Sequence, residues 1–226
     1  MFDRIAGRYD VMNSVMSAGL HHRWRARTVD MAHVGPGASA LDVCCGTGDL
    51  ALELRRRIGA AGRVVGLDFS APMLKLAERK SAASGAAVDW VQGNALELPF
   101  ADATFDAATV GFGVRNVADL PRAISEMARV VRPGGRVAIL EITTPQHPPL
   151  KWFFSVWFDR IVPLLGTVAG DREAYTYLPS SVRRFPPAHE LAQLMHSAGL
   201  RDVRYVVLAG GIVAIHSSAV PTADRA

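Results

Sequence analysis

Hydrophobic and polar positions follow two periods along this chain. Short apolar runs of strand length fall at 40–45, 63–67, 87–91, 105–110 and 135–141. Stretches with apolar residues at helical spacing fall between most of them, at 48–58, 71–83 and 119–131. Strand alternating with helix predicts an α/β fold, a parallel sheet with helices on both faces. The run Leu41-Asp-Val-Cys-Cys45 is apolar on both sides of the strand apart from Asp42, as a strand buried on both faces requires. Ser70 stands where an N-cap belongs, with Pro72 in the first turn of the helix it opens.

The ends of the chain depart from this alternation. Ile5, Tyr9, Met12, Val15 and Met16 recur at helical spacing, Gly19 interrupts them, and 24–31 resumes the pattern. This predicts a pair of helices covering one sheet edge. Gly35-Pro36-Gly37 then separates them from the sheet. From 148 to 187 the alternation stops, and Trp152, Phe153, Phe154, Trp157 and Phe158 crowd into one segment. A helix at 190–198 and two strands at 203–208 and 212–216 close the chain, with Gly210-Gly211 as their hairpin turn. The tail from Val220 is expected to be disordered.

Composition narrows the classes. A chain of 226 residues fits one domain with a sizeable core. The net charge is +4 and the isoelectric point about 9.4, but the arginines are scattered. That balance permits nucleic acid or an anionic membrane without requiring either. Arg55-Arg56-Arg57 end a helix, where they suit the negative end of its dipole. Cys44 and Cys45 are adjacent, which makes a poor disulfide and no metal-ligand spacing, so no metal is expected and a reducing, cytoplasmic setting is. Neither a secretory signal nor an apolar run long enough to span a bilayer is present.

The candidate chemistry lies in Ala40-Leu-Asp-Val-Cys-Cys-Gly-Thr-Gly-Asp-Leu50, a strand, a glycine turn and a helix N-terminus. Such a turn points backbone N–H groups outward and lets a ligand approach closely. Asp68 ends the next strand, where a carboxylate can accept from both hydroxyls of a ribose. A nucleoside-type ligand follows. The loop has one glycine pair with dinucleotide spacing and Ala51 at the third position, so NAD and S-adenosylmethionine (SAM) both remain open.

Two later stretches carry a resemblance. Gly93-Asn-Ala-Leu-Glu-Leu-Pro-Phe-Ala-Asp-Ala-Thr-Phe-Asp106 is similar to the adenine-side loop and fourth strand of SAM-dependent methyltransferases, and Arg129-Val-Val-Arg-Pro-Gly-Gly-Arg-Val137 resembles the approach to their fifth strand. The resemblance implies a Rossmann-like fold with a mostly parallel seven-stranded sheet, an antiparallel final strand, and SAM as cofactor. Further motifs are more specific. Met1-Phe-Asp-Arg-Ile-Ala-Gly-Arg-Tyr-Asp-Val-Met-Asn13, Trp24-Arg25, Gly111-Phe-Gly-Val-Arg-Asn116, Tyr175-Thr-Tyr-Leu-Pro-Ser180 and Gly210-Gly-Ile-Val-Ala-Ile-His216 resemble the ubiquinone/menaquinone biosynthesis C-methyltransferases over nearly the whole chain. Membership would imply methyl transfer to a ring carbon of a prenylated hydroquinone such as demethylmenaquinol or a ubiquinol precursor. A small-molecule O-methyltransferase is the nearest alternative, then an RNA methyltransferase or a non-catalytic SAM-binding protein. No appended RNA-binding module or dense basic stripe supports nucleic acid as a partner.

On this resemblance one domain, 1–226, comprises a helical cover (1–37), a SAM-binding core (38–147), a substrate-side insertion (148–187) and a closing helix and strand pair (188–219). Gly46, Thr47 and Gly48 would face the methionine part of SAM, and Asp68 would hold the ribose. Phe69 and Met73 would lie near the adenine, which Asn94 and the Ala95 backbone would read. Gly111 stands where relatives often carry serine, near the methionine part. Arg115 and Asn116, with Tyr9, would act on the reacting ring, and Asn13 and Tyr177 would line its pocket. The mechanism needs a stabilised phenolate, and Arg115 can offer a permanent positive charge to it. The plainer reading of Arg115 is an ion pair with Asp119 or Asp10. Trp152, Phe153, Val156 and Trp157 share a helical side, either as core or as a surface for the isoprenoid tail and peripheral membrane contact. Homodimerisation is left open.

Overall fold

The computed structural model describes residues 14, 17–145, 148, 150–156 and 179–222, with backbone alone at Lys151, Phe153 and Ser155. In chain order the elements are α1 (Leu20–Met31), β1 (Ser39–Val43), α2 (Asp49–Ile58), β2 (Arg63–Asp68), α3 (Ala71–Ser84), β3 (Asp89–Gln92) and β4 (Phe105–Gly111). They continue with α4 (Leu120–Val130), β5 (Val131–Ile142), α5 (Leu150–Val156), α6 (Ala188–Ser197), β6 (Arg201–Leu208) and β7 (Val213–Ala219). The expected helical piece around Ile5, Tyr9 and Met12 lies outside the described residues, as does 157–165 of the aromatic segment.

The seven strands hydrogen-bond in the order β3-β2-β1-β4-β5-β7-β6. All neighbours are parallel except β7, which runs antiparallel to both β5 and β6. The order reverses beside β1, whose neighbours β2 and β4 carry the chain away in opposite directions. Crevices at such a switch point, beyond the carboxyl ends of the strands, are where open α/β sheets bind ligands.

Burial follows the pattern of strands covered on both sides. Leu41, Val43, Val65, Leu67, Ala108, Val110, Val137 and Ile139 form one core with Ile124, Met127 and Val130 of α4 and Leu191 and Met195 of α6. On the other face Ala40 and Val64 meet Leu50, Ala51, Leu54 and Ile58 of α2 and Val29 of α1. Ser70 caps α3 as expected, accepting from the Met73 amide at 3.4 Å, and Asp119 caps α4, accepting from the Arg122 amide at 2.9 Å.

Three expectations are corrected. First, α1 covers a face of the sheet, not an edge. Ala32 packs on Ala107 and Ala138, and Val29 beside Ala40, because these small strand residues leave room for a helix to lie close. Second, β5 begins at Val131, four residues earlier than its apolar run, since Val131 pairs with Phe105 before a register shift lets Arg136 pair with Ala107. Third, β6 and β7 are joined through a single 3-10 turn at Ala209–Gly211, not a two-residue hairpin; its backbone is left-handed at Ala209, Gly210 and Gly211.

His216 on β7 is 1% exposed. Its Nε2 donates to the Ala188 carbonyl at 2.7 Å, its ring stacks on Tyr205, and its Nδ1 has no partner among the described residues. Burial pushes its pKa from 6.5 down to about 4, against the pull of the Ala188 hydrogen bond. A folded state that binds this proton less readily than the unfolded chain is stabilised in full above pH 6.5 and loses that contribution as pH falls toward 4. We expect this one group to remove up to about 3 kcal/mol over that window. His216→Gln keeps a donor for Ala188 without titrating, so urea denaturation between pH 7 and 4 should show a flatter profile for the variant. Parallel profiles would exclude His216 as the source.

Candidate active site

The site begins with what happens to β1 when it ends. The Cys45 amide still finds the Leu67 carbonyl of β2 at 3.0 Å, and the Gly46 amide finds the Asp68 carboxylate at 2.7 Å. Gly46 and Gly48 then turn with φ of 55° and 84°, the left-handed region that glycine enters without a Cβ penalty. The Gly48 amide returns to the Cys45 carbonyl, and α2 starts at Asp49. Gly48 is needed for space as well as for conformation: a Cβ there would meet Trp90 Cη2 at 2.5 Å. Gly46 has open space at the same position.

Asp68 is bonded on both sides. Its Oδ2 accepts from Gly46, its Oδ1 accepts from the Ser70 amide at 2.9 Å, and its carbonyl accepts from Gly93 at 3.0 Å. One residue therefore ties together the loops after β1, β2 and β3. A carboxylate carries about four lone-pair sites, so Asp68 can accept from several donors at once. Asn94 folds back so that Oδ1 accepts from the Leu96 amide at 3.0 Å, which holds the 94–97 turn in place.

These loops wall a cavity of about 450 Å³ over the carboxyl ends of β1, β2 and β4. Of the residues singled out from sequence, Gly46, Thr47, Asp68, Phe69, Met73, Asn94, Ala95, Gly111 and Asn116 line it. Gly48 shapes the loop without lining the cavity, and Arg115 does not line it. Tyr9, Asn13 and Tyr177 lie outside the described residues. The backbone around the opening is strained: Cys44 (φ 52°) and Phe112 (φ 60°) are left-handed without being glycine, and both line the cavity. Such residues cost on the order of 1–3 kcal/mol each and persist only where neighbours over-determine them. Here Gly113 packs so tightly on Cys44 that a Cβ would fall 2.5 Å from the Cys44 Cβ.

Among the described residues, the wall carries three carboxylates, Asp42, Asp49 and Asp68, and one cation, Arg25. Asp42 is 1% exposed, and burial raises its pKa to about 7 against the Thr109 hydroxyl, the Arg25 charge and the Ala51 amide. Its Oδ1 accepts from Thr109 at 2.8 Å, while Oδ2 is buried with no hydrogen-bond partner among the described residues. Asp49 behaves differently. Burial pulls its pKa up, but Arg25 at 3.3 Å and Lys80 at 2.7 Å more than offset this and hold it below its ordinary value. Lys80 also donates to the Thr47 hydroxyl at 3.0 Å. The Cys44 and Cys45 thiols are both pushed up, chiefly by burial, so neither supplies a thiolate near neutral pH.

Among the described residues the ion pair of Arg115 is with Glu141 and not with Asp119. Its Nη1 lies 2.7 Å from Glu141 Oε1 at the end of β5, with the two side chains 7% and 2% exposed. Its backbone amide reaches Glu141 Oε2 at 3.2 Å, and Nη1 also donates to the Phe112 carbonyl. Asp10 lies outside the described residues.

The ubiE/COQ5 methyltransferase family model matches residues 1–220. This chain belongs to that family. Among the similar members, a demethylmenaquinone methyltransferase of Desulfitobacterium hafniense is 46% identical over 223 residues, covering 97% of this chain and 88% of that one. A 2-phytyl-1,4-naphtoquinone methyltransferase of Thermosynechococcus vestitus is 44% identical over 215 residues, covering 95% of each. Among solved structures, a SAM-dependent methyltransferase from Aquifex aeolicus superposes with a TM-score of 0.64 at 19% identity, covering 87% of this chain and 89% of that one. At that identity the likeness is one of fold.

For this family member, sequence reasoning passed over Arg25, which lines the cavity from α1, and Phe112 and Val117, which line it after β4. Trp24-Arg25 was visible as a motif, but nothing local in a helix far from the glycine turn says that its guanidinium faces the same cavity. The contrast between the two loop glycines is testable. Gly46→Ala should cost about 1–2 kcal/mol, the conformational term alone. Gly48→Ala adds a clash with Trp90 and should cost about 2–4 kcal/mol. Equal losses in urea denaturation would show that Trp90 yields.

Proposed function

We propose that this chain transfers the methyl group of SAM to a ring carbon of a prenylated hydroquinone in quinone biosynthesis, demethylmenaquinol being the substrate that its relatives' names favour. The observation that carries this reading is one cavity that runs from the glycine turn and Asp68 to the Phe112–Asn116 segment, in a chain matched almost end to end by a quinone-methylating family. The residues present suit SAM. The glycine turn leaves an open backbone cradle, and the orphaned Asp42 Oδ2 suits an ammonium group. Gly46 and Thr47 take the methionine part, with Gly111 nearby and Gly48 shaping the turn. Asp68 takes the ribose hydroxyls. Phe69 and Met73 flank the adenine, Asn94 accepts from its amino group, and Ala95 offers its backbone.

When bound, SAM supplies an electrophilic methyl carbon, so the protein is left with orienting the ring and raising its electron density. A phenol with an ordinary pKa of about 10 must lose its proton for the ring carbon to become nucleophilic. Asn116 faces the cavity and orients the hydroxyl. Arg115, one residue back, supplies positive charge toward the developing phenolate. Its pairing to Glu141 also braces the 112–116 segment, so part of its effect passes through the position of Asn116. Tyr9, Asn13 and Tyr177 complete the ring pocket, with 1–226 working as one domain. The 150–165 segment carries the tail-side contact with the membrane surface. Trp152 there is 71% exposed and Leu150 41%. No helix among the described residues is long and apolar enough to cross a membrane.

The direct test is methyl transfer from labelled SAM to demethylmenaquinol and ubiquinol precursors, each supplied reduced and oxidised. Product should form from the reduced ring alone; equal rates with the oxidised quinone would remove the phenolate mechanism. Asp68→Ala should weaken SAM binding by about 1–3 kcal/mol through the lost carboxylate acceptor. Calorimetry with an unchanged SAM affinity would sink the ribose role. Arg115→Ala should lower turnover by roughly two orders of magnitude while SAM still binds. It also leaves Glu141 buried and unpaired, at a cost of about 3–5 kcal/mol. Arg115→Ala with Glu141→Gln relieves that charge. Restored stability without restored turnover supports direct action at the ring; recovery of both would make Arg115 a positioning residue.

A further inference from the structure

We infer that Arg25 is the residue that receives the α-carboxylate of the bound SAM, making helix α1 part of the cofactor site. The inference rests on the proposal that SAM occupies the cavity. Three carboxylates line the cavity, Asp42, Asp49 and Asp68, and Arg25 is the one cationic side chain lining it among the described residues. SAM brings an ammonium, a sulfonium and one carboxylate. The first two are welcome in an acidic cavity. The carboxylate is not, unless it meets this guanidinium.

The geometry suits that task. Arg25 is 7% exposed and rests 5.8 Å above the centre of the Phe112 ring, beside the turn where the methionine part is placed. Its Nη1 donates to His21 Nδ1, which fixes the head group from behind, since a guanidinium only donates. Its Nη2 lies 3.3 Å from Asp49. Asp49 is held more closely by Lys80, at 2.7 Å, so its charge is compensated from the far side as well. A guanidinium with five donors in a rigid fork can then serve Asp49 and a second carboxylate together. Stability alone does not explain a buried cation here. A buried ion pair is often no better than apolar residues of the same volume.

The test is a comparison of ligands within each protein. Calorimetry would measure SAM, decarboxylated SAM and 5′-methylthioadenosine against the full-length wild type, Arg25→Gln and Arg25→Lys. Wild type should prefer SAM to decarboxylated SAM by about 10- to 100-fold, the range for a charge-assisted hydrogen bond. Arg25→Gln should abolish that preference while leaving 5′-methylthioadenosine, which lacks the whole amino-acid part, within about threefold of wild type. Arg25→Lys keeps the charge and loses the fork, so it should retain a reduced preference; it also carries the test if Arg25→Gln fails to fold. A wild type indifferent to the carboxylate, or variants that weaken all three ligands equally, would overturn the inference and leave Arg25 as packing. Absence of SAM binding to wild type would instead overturn the cofactor reading beneath it.

Discussion

A strand buried on both faces and paired on both edges can satisfy its backbone only while it runs in the sheet. β1 stops between β2 and β4, so the amides of the following residues must find partners elsewhere or face solvent. The chain meets this constraint with Asp68. Its carboxylate accepts from Gly46 and Ser70, and its carbonyl accepts from Gly93. That knot fixes the glycine turn, the start of α3 and the loop after β3 at once. The concave wall of the cavity is what remains of the switch point after those bonds are made.

The same burial sets the electrostatics. Charges near the end of β1 sit in little water, so each is either partnered or shifted. Asp49 is held below its ordinary pKa by Arg25 and Lys80, Glu141 is met by Arg115, and burial raises the pKa of Asp42 to about 7. A ligand that brings positive charge beside Asp42 favours its ionised form and releases its proton. The cavity is thus suited to a cationic nucleoside by the sum of its charges as well as by its shape. Arg25 enters this balance from α1, ahead of β1 in the chain, because Ala40, Ala107 and Ala138 let α1 lie on the sheet.

Strand strain and tight packing around Cys44, Phe112 and Gly113 have a related origin. The exits of β1 and β4 cross within van der Waals contact, and larger side chains at Gly113 would separate them. Keeping them close holds Phe112 against Arg25 and Asn116 over the cavity. The segment that is proposed to act on the substrate ring and the segment proposed to hold the cofactor are therefore parts of one packed unit.

Much of this was legible along the chain. The alternation of strand and helix, the glycine turn, the Ser70 cap and the acid at the end of β2 all arise from interactions among residues a few positions apart, and such interactions leave a period or a motif in the sequence. Family motifs extended this to the 93–106 and 111–116 stretches. The pairing of Arg115 with Glu141, 26 residues on, was not foreseen, because it depends on how far β5 runs past β4. The early start of β5 was hidden for the same reason: its polar, glycine-containing opening pairs with Phe105 only through the sheet register. Nor was it visible that α1 covers a face and delivers Arg25 to the cavity. That placement follows from the volume left above small strand residues on three different strands, a quantity that exists only once the sheet has formed.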